Sequence, residues 1–185
     1  MLYATTVTTQ KELEQIQKLN QRNLKQSLSE VEMAEQGFVS WFYSLELLKK
    51  MHQLAPSIIV KEERDEVVGY ALVTLKEASS FHPDLQTMIT NLQNICFLNK
   101  PLVAYEFYIM GQVCIHKSYR GKGVFNLLYQ QHKKSYSEAY NLLVTEISTS
   151  NKRSIRAHEK LGFKNIHTYR DSVDEWNVVV WNWCE

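Results

Sequence analysis

At Gly121 and Gly123 the chain changes its hydrophobic period. Upstream, the chain from Leu102 to about Ile115, including YEFYIM (105–110) and QVCI (112–115), reads as strand, with Gly111 suggesting a bulge or bend. Downstream, Val124, Leu127, Leu128 and Gln131 recur at helical spacing. RGKGVF (120–125) therefore predicts a strand, a tight glycine turn and the start of a helix in immediate succession. A helix leaves its first N–H groups without intrahelical acceptors, and its aligned dipoles make that end partly positive. Gly121 and Gly123 let the backbone approach an anion closely, while Arg120 and Lys122 add full charges. The stretch is built like a pyrophosphate cradle of main-chain amides, and the alternative is a tight connection whose cations are merely solvated. Two other phosphate motifs are excluded. The order Lys122-Gly123-Val124 breaks the P-loop pattern, and Asn126 stands where a dinucleotide fingerprint needs its third glycine.

The rest of the chain supplies a mixed order of elements. LYATTVT (2–8) reads as a strand, and Thr9 with Glu12 as a capping box opening a helix that carries Leu13, Ile16, Leu19 and Leu24. A second helix is predicted from about Ser40 to Met51, ending before Pro56. Ser57–Lys61 and Val67–Leu75, around the charged turn EERDE, predict a β-hairpin. Residues 78–101 read as an insertion in which His82-Pro83-Asp84 starts a short helix. After the glycine turn come a strand (142–148), a helix from Asn151 to Leu161 ended by Gly162, and two closing strands, FKNIHTYR and WNVVVWNW. This order predicts a mixed α/β fold.

At 185 residues and 44% hydrophobic content, one globular domain spanning 1–185 is expected. Twenty-one basic and 20 acidic residues give a net charge of +1, so no strong field points to nucleic acid or a membrane surface. The N-terminal residues carry no basic leader and no segment nears the ~20 apolar residues of a membrane span, from which a cytoplasmic protein is expected. Cys96, Cys114 and Cys184 are odd in number and far apart, which reads as reduced core thiols. The histidines show no paired ligand spacing, so no metal is expected.

About thirty residues beyond the glycine turn, NKRSIRAHEKLGF (151–163) adds a second motif. Together, RGKGVF and N-x-x-S-I-R-x-H-E-K-L-G-F resemble the GNAT superfamily of acyl-CoA-dependent N-acetyltransferases, and the element order agrees over nearly the whole chain. The resemblance implies a mainly antiparallel central sheet, flanked by helices and split between its fourth and fifth strands. It implies acetyl-CoA as co-substrate, with the amides of Arg120, Gly121, Lys122, Gly123, Val124 and Phe125 on the pyrophosphate. The backbone of Val113, Cys114 and Ile115 would pair the pantetheine arm, with an N–H near Cys114 or Ile115 as oxyanion donor, and Asn151 would touch pantetheine or pyrophosphate or only cap its helix. A primary amine, small-molecule or peptide, would attack the thioester directly in a ternary complex.

Two positions depart from the family pattern. Phe125 replaces the last Gly or Ala of the loop, and its amide stays available if the ring turns into the core. His158 stands where many members have the tyrosine that protonates the thiolate; it is read as the acid or as a packing or CoA-contact residue. Glu106, on the strand leading to Gly111, is the base or a plain exposed glutamate. Cys114 lacks a partner for a nucleophilic role. Trp176, Trp181 and Trp183 line an aromatic acceptor pocket, pack, or form a subunit interface, which leaves a homodimer open. Two rival readings are a CoA-binding module that has lost catalysis and a nucleotide-binding regulator.

Overall fold

The computed structural model describes residues 1–184. Seven strands form one sheet: β1 (Tyr3–Thr6), β2 (Ile58–Lys61), β3 (Val67–Thr74), β6 (Phe107–Ile115), β7 (Leu142–Ser148), β9 (Glu175–Asn182) and β8 (Lys164–Arg170), in that spatial order. The short β4 (Cys96–Phe97) and β5 (Lys100–Pro101) pair separately as a hairpin. Every neighbouring pair in the main sheet is antiparallel except β6 and β7. These are its fourth and fifth strands in chain order.

Period-2 alternation explains the two layers of core. In β2, Ile58 and Val60 face one side and Ile59 the other. Helices α1 (Gln10–Arg22), α3 (Leu45–Leu54) and α4 (Pro83–Gln93) cover the Ile59 face through Leu13, Ile16, Leu47, Leu48, Leu85 and Ile89. The opposite face holds α5 (Val124–Tyr136), which packs through Val124, Leu128 and Tyr129, and α6 (Lys152–Lys160). All eight residues of β3 are buried, which is why its sequence, VVGYALVT, shows no polar alternation.

The Thr9–Glu12 capping box forms as the sequence reads, and the hairpin and the 142–148 strand fall where expected. Four expectations are corrected. A helix α2 (Glu30–Gln36) is present, capped by Ser29 and Glu32, and Gly37 at φ +72° ends it. The expected helix from Ser40 begins only at Leu45, because Ser44 caps it and residues 38–41 run extended, with Val39 bridging Leu24. The expected strand from Leu102 begins at Phe107, since Pro101 leads into a 3-10 turn at Leu102–Ala104. Of the three cysteines only Cys114 is a core thiol; Cys96 and Cys184 are exposed.

The feature that shapes the site is a bulge. Ala71 pairs with Val113 and Val73 with Met110, so Gly111 and Gln112 together oppose Leu72. A Cβ on Gly111 would collide with Thr74 Oγ1 and lie 3.0 Å from the Tyr43 hydroxyl. Gln112 is then free to anchor the bulge: its Oε1 accepts from Asn20 Nδ2 at 2.7 Å and from the Tyr70 hydroxyl, and its Nε2 donates to the Trp41 carbonyl at 2.8 Å. Gly111→Ala is expected to destabilise the fold by about 1–3 kcal/mol through overpacking. A lowered urea midpoint at unchanged m-value is the check.

Candidate active site

Parallel pairing of β6 with β7 extends only from Phe107↔Leu142 to Ile109↔Val144. Past the bulge the strands part, and Thr145 Oγ1, donating to the Met110 carbonyl at 2.8 Å, marks where the gap opens. Two cavities fill that gap. A cleft of about 830 Å³ lies on the α5 and α6 side, and a pocket of about 420 Å³ lies on the α1 and α4 side. They meet at Phe38, Val39, Val113, Asn151 and Ser154, which line both.

The larger cleft is built on the glycine turn. Gly121 and Gly123 adopt φ +77° and +82°, the left-handed region that side chains disfavour. A Cβ on either would meet nothing within 4 Å, so the backbone faces open space. Gly123 is the N-cap of α5, which has no side-chain cap, and its first-turn amides therefore open onto the cleft. Val113, Cys114, Ile115, Arg120, Gly121, Gly123, Val124, Phe125 and Asn151 all line it. Lys122 does not; its ammonium lies over the Tyr119 ring, 5.3 Å from the centroid. Arg120 is partly tied into the wall, with Nε donating to the Ile115 carbonyl at 3.0 Å and Nη2 to Asn23 Oδ1 at 2.6 Å. Phe125 turns inward against Tyr129 and His158, at ring distances of 4.7 and 5.1 Å.

Cations that the sequence reading did not single out complete this cleft. Arg153, Arg156 and Lys160 line it from α6. Their spacing puts them on one helical face, a signal present in the sequence. Asn151 both caps α6, accepting from the Ser154 amide at 3.2 Å, and donates to the Phe38 carbonyl at 3.2 Å. It thereby fixes the 37–41 segment across the junction of the two cavities. An amide-lined turn, a helix N-terminus and several cations suit a diphosphate with further phosphate groups. Cys114 is buried, and burial pushes its thiol up to about 12, so it is no nucleophile.

His158 is buried and lines the smaller pocket. Its Nδ1 lies 2.8 Å from the Ser154 carbonyl, which can only accept, so Nδ1 carries the proton. Nε2 therefore accepts from the Tyr129 hydroxyl. Burial lowers its pKa to about 4, and the ring is neutral near pH 7. A neutral imidazole with both nitrogens engaged has no proton for a thiolate, which corrects the expected acid role and leaves a positioning role beneath Phe125. Glu106 is also displaced from the chemistry. It is exposed just before β6, at the end of that strand still paired with β7, and lines neither cavity.

The smaller pocket holds a different carboxylate. Glu146 on β7 points into it and accepts from the Tyr169 hydroxyl at 2.8 Å. Burial raises its pKa to about 7, against the lowering effect of Tyr169 and with help from the Asp171 charge. A carboxylate that titrates at neutrality in a pocket beside a strand gap can take a proton from a bound amine. Its sequence signal is a lone carboxylate inside the otherwise uncharged run LLVTEIS. Of the three tryptophans considered, Trp176 lines this pocket, joined by Trp41. Trp181 packs on Phe163 and Trp183 on Trp181, at 5.6 and 5.7 Å.

The model of the acetyltransferase (GNAT) family matches residues 13–163. An N-alpha-acetyltransferase of Sulfurisphaera tokodaii is 26% identical over 140 residues, 72% of each chain. The ribosomal-protein-S18-alanine N-acetyltransferase of Escherichia coli superposes with a TM-score of 0.65 at 11% identity, covering 98% of this chain and 94% of that one. A chain of the NatC complex bound to Gag peptide and CoA gives 0.65 at 13% identity, covering 98% of each.

Proposed function

Since the chain belongs to the acetyltransferase (GNAT) family, we propose that it moves an acetyl group from acetyl-CoA to a primary amine by direct attack in a ternary complex. The observation that carries this reading is the meeting of the two cavities at Val113, Asn151 and Ser154, at the gap between β6 and β7. The amides of the 120–125 turn and the basic face of α6 would hold the diphosphate end of acetyl-CoA. The split edge of β6 at Val113–Ile115 would pair its pantetheine arm, as an added strand does, and an amide there would face the thioester oxygen.

Glu146 would take one proton from the acceptor ammonium, directly or through water. The freed lone pair forms the N–C bond as the C–S bond breaks. Sulfur departs with that electron pair, and the nitrogen's second proton reaches the thiolate through solvent. No acyl-enzyme is needed, in keeping with the buried, protonated Cys114.

A thermal-shift titration tests the first half of this proposal. Acetyl-CoA and CoA at one hundred times Kd should add about 2.7 kcal/mol of stability, or roughly 5–10 °C in Tm for a chain of this size. ATP and NAD should leave Tm unchanged. Equal shifts with ATP would favour a nucleotide-binding regulator. Binding of acetyl-CoA without acetylation of any amine, followed by mass spectrometry for one added acetyl group, would favour a non-catalytic module.

A further inference from the structure

The two cavities carry opposite charge. Arg120, Arg153, Arg156 and Lys160 line the larger one, against one carboxylate, Glu35. Asp84, Glu146 and Asp171 line the smaller one, and among the described residues no lysine or arginine does. Four aromatic side chains, Trp41, Tyr43, Tyr169 and Trp176, share its walls with small polar and aliphatic ones. Trp41 and Tyr43 meet edge to face at 4.4 Å, and the Trp41 carbonyl is held by both Asn20 and Gln112, so this wall is pinned to the bulge.

The pocket is also roofed. Helix α4, from the insertion between β3 and β6, brings Asp84, Met88 and Asn91 to its rim, and Asn91 reaches the Tyr169 side chain on β8. On the other side Asn151 holds the Phe38 carbonyl. About 420 Å³ between these walls is at the small end of pockets that take whole small molecules, about 300–1,000 Å³.

We propose, resting on the N-acetyltransferase reading, that the acceptor is a small arylalkylamine without a carboxylate, its ammonium beside Glu146 and its ring against Trp41 and Trp176. An ammonium is favoured by three carboxylates, and an aromatic body by indole and phenol faces. The same three carboxylates disfavour a free amino acid, whose own carboxylate would find no cation in the pocket. A peptide would have to fit its first residues into about 420 Å³, a space sized for one small molecule.

The test is a mass-spectrometric and kinetic screen with acetyl-CoA and four probes: phenethylamine, phenylalanine, spermidine and an N-terminally free hexapeptide. Phenethylamine and phenylalanine differ only by the carboxylate. Phenethylamine is expected to exceed each of the others in kcat/KM by roughly 100-fold. Trp176→Ala should raise KM for phenethylamine roughly tenfold with KM for acetyl-CoA unchanged. Asp171→Asn keeps the Oδ1 that accepts from the Val173 and Asp174 amides while removing the charge, and should also raise the amine KM selectively. If phenylalanine, spermidine or the peptide matches phenethylamine, or if neither substitution moves the amine KM, the assignment of acceptor class is overturned while the acetyltransferase reading stands. If acetyl-CoA itself fails to raise Tm and no probe is acetylated, both fall together.

Discussion

Glu146→Gln is expected to lower kcat/KM by about 10²–10⁴-fold, the usual contribution of a positioned general base, while acetyl-CoA binds as before. Glutamine keeps the shape and the oxygen that accepts from Tyr169, so loss of activity would reflect the missing proton acceptor. The pH profile gives an independent reading. Wild-type kcat/KM should rise through about pH 7 as Glu146 loses its proton. Tyr169, Tyr43, Asp171 and His158, which share its pocket, are all held away from that value. Burial and the Glu146 charge hold the Tyr169 and Tyr43 hydroxyls above their ordinary values. Burial pushes Asp171 up, but the amides of Asp174 and Val173 outweigh it and keep that carboxyl below its ordinary value. His158 titrates only near 4. The variant should therefore lose the limb near pH 7 along with its rate, and steady-state kinetics from pH 5.5 to about 9 would show both. A variant within threefold of wild type would remove Glu146 from the mechanism.

The same ionisation acts on the fold with the opposite sign. A carboxyl whose folded pKa is raised from 4.5 to about 7 favours folding most below the unfolded value. That stabilisation is lost progressively as pH rises from about 4.5 to about 7, the range in which unfolding releases the proton. The active form of the site is thus the less stable one. Glu146→Gln should be more stable than wild type at pH 8–9, on the order of a few kcal/mol, and the difference should shrink toward zero near pH 5. Chemical denaturation at several pH values measures it directly.

Local patterns were readable, and long-range ones were not. The 58–74 hairpin, the Thr9 capping box and the strand–glycine–helix unit depend on residues near in sequence, so periodicity and turn chemistry reveal them. Helix α2 was equally local, with its Ser29–Glu32 capping box in plain view, but seven residues of weak periodicity did not stand out. Glu146 is a different matter. Its place beside the gap depends on the bulge at Gly111 and on β6 leaving β7 after Ile109↔Val144, and β6 is far from Glu146 in sequence. Reasoning along β6 alone chose Glu106, which at ~3.3 Å per residue sits ~16 Å from Gly111, toward the paired end. His158 lies on α6, yet its chemistry is decided by the carbonyl of Ser154, the hydroxyl of Tyr129 and burial. A motif fixes where a side chain lies along a helix; its surroundings fix the charge it carries.

Gly123→Val separates backbone from side chain in the larger cleft. At φ +82° any L side chain is strained by about 1–2 kcal/mol. A Cβ there meets no protein atom within 4 Å, so the fold should lose only that strain, roughly 2–8 °C in Tm. Binding should suffer far more. The new side chain would stand in the space above the first amides of α5, where a diphosphate has to approach. Losing two charge-assisted hydrogen bonds at about 1.5–3 kcal/mol each corresponds to about 10²–10⁴-fold in Kd for acetyl-CoA. Ile16→Val provides the converse control, because Ile16 is buried in the core and lines neither cavity: stability should fall by about 0.5–1.5 kcal/mol while CoA affinity per folded molecule holds. Isothermal titration of both variants with CoA would show whether affinity follows the turn or only the general stability of the protein. A Gly123→Val protein that binds CoA as tightly as wild type would mean that the amides of residues 120–125 do not hold the diphosphate.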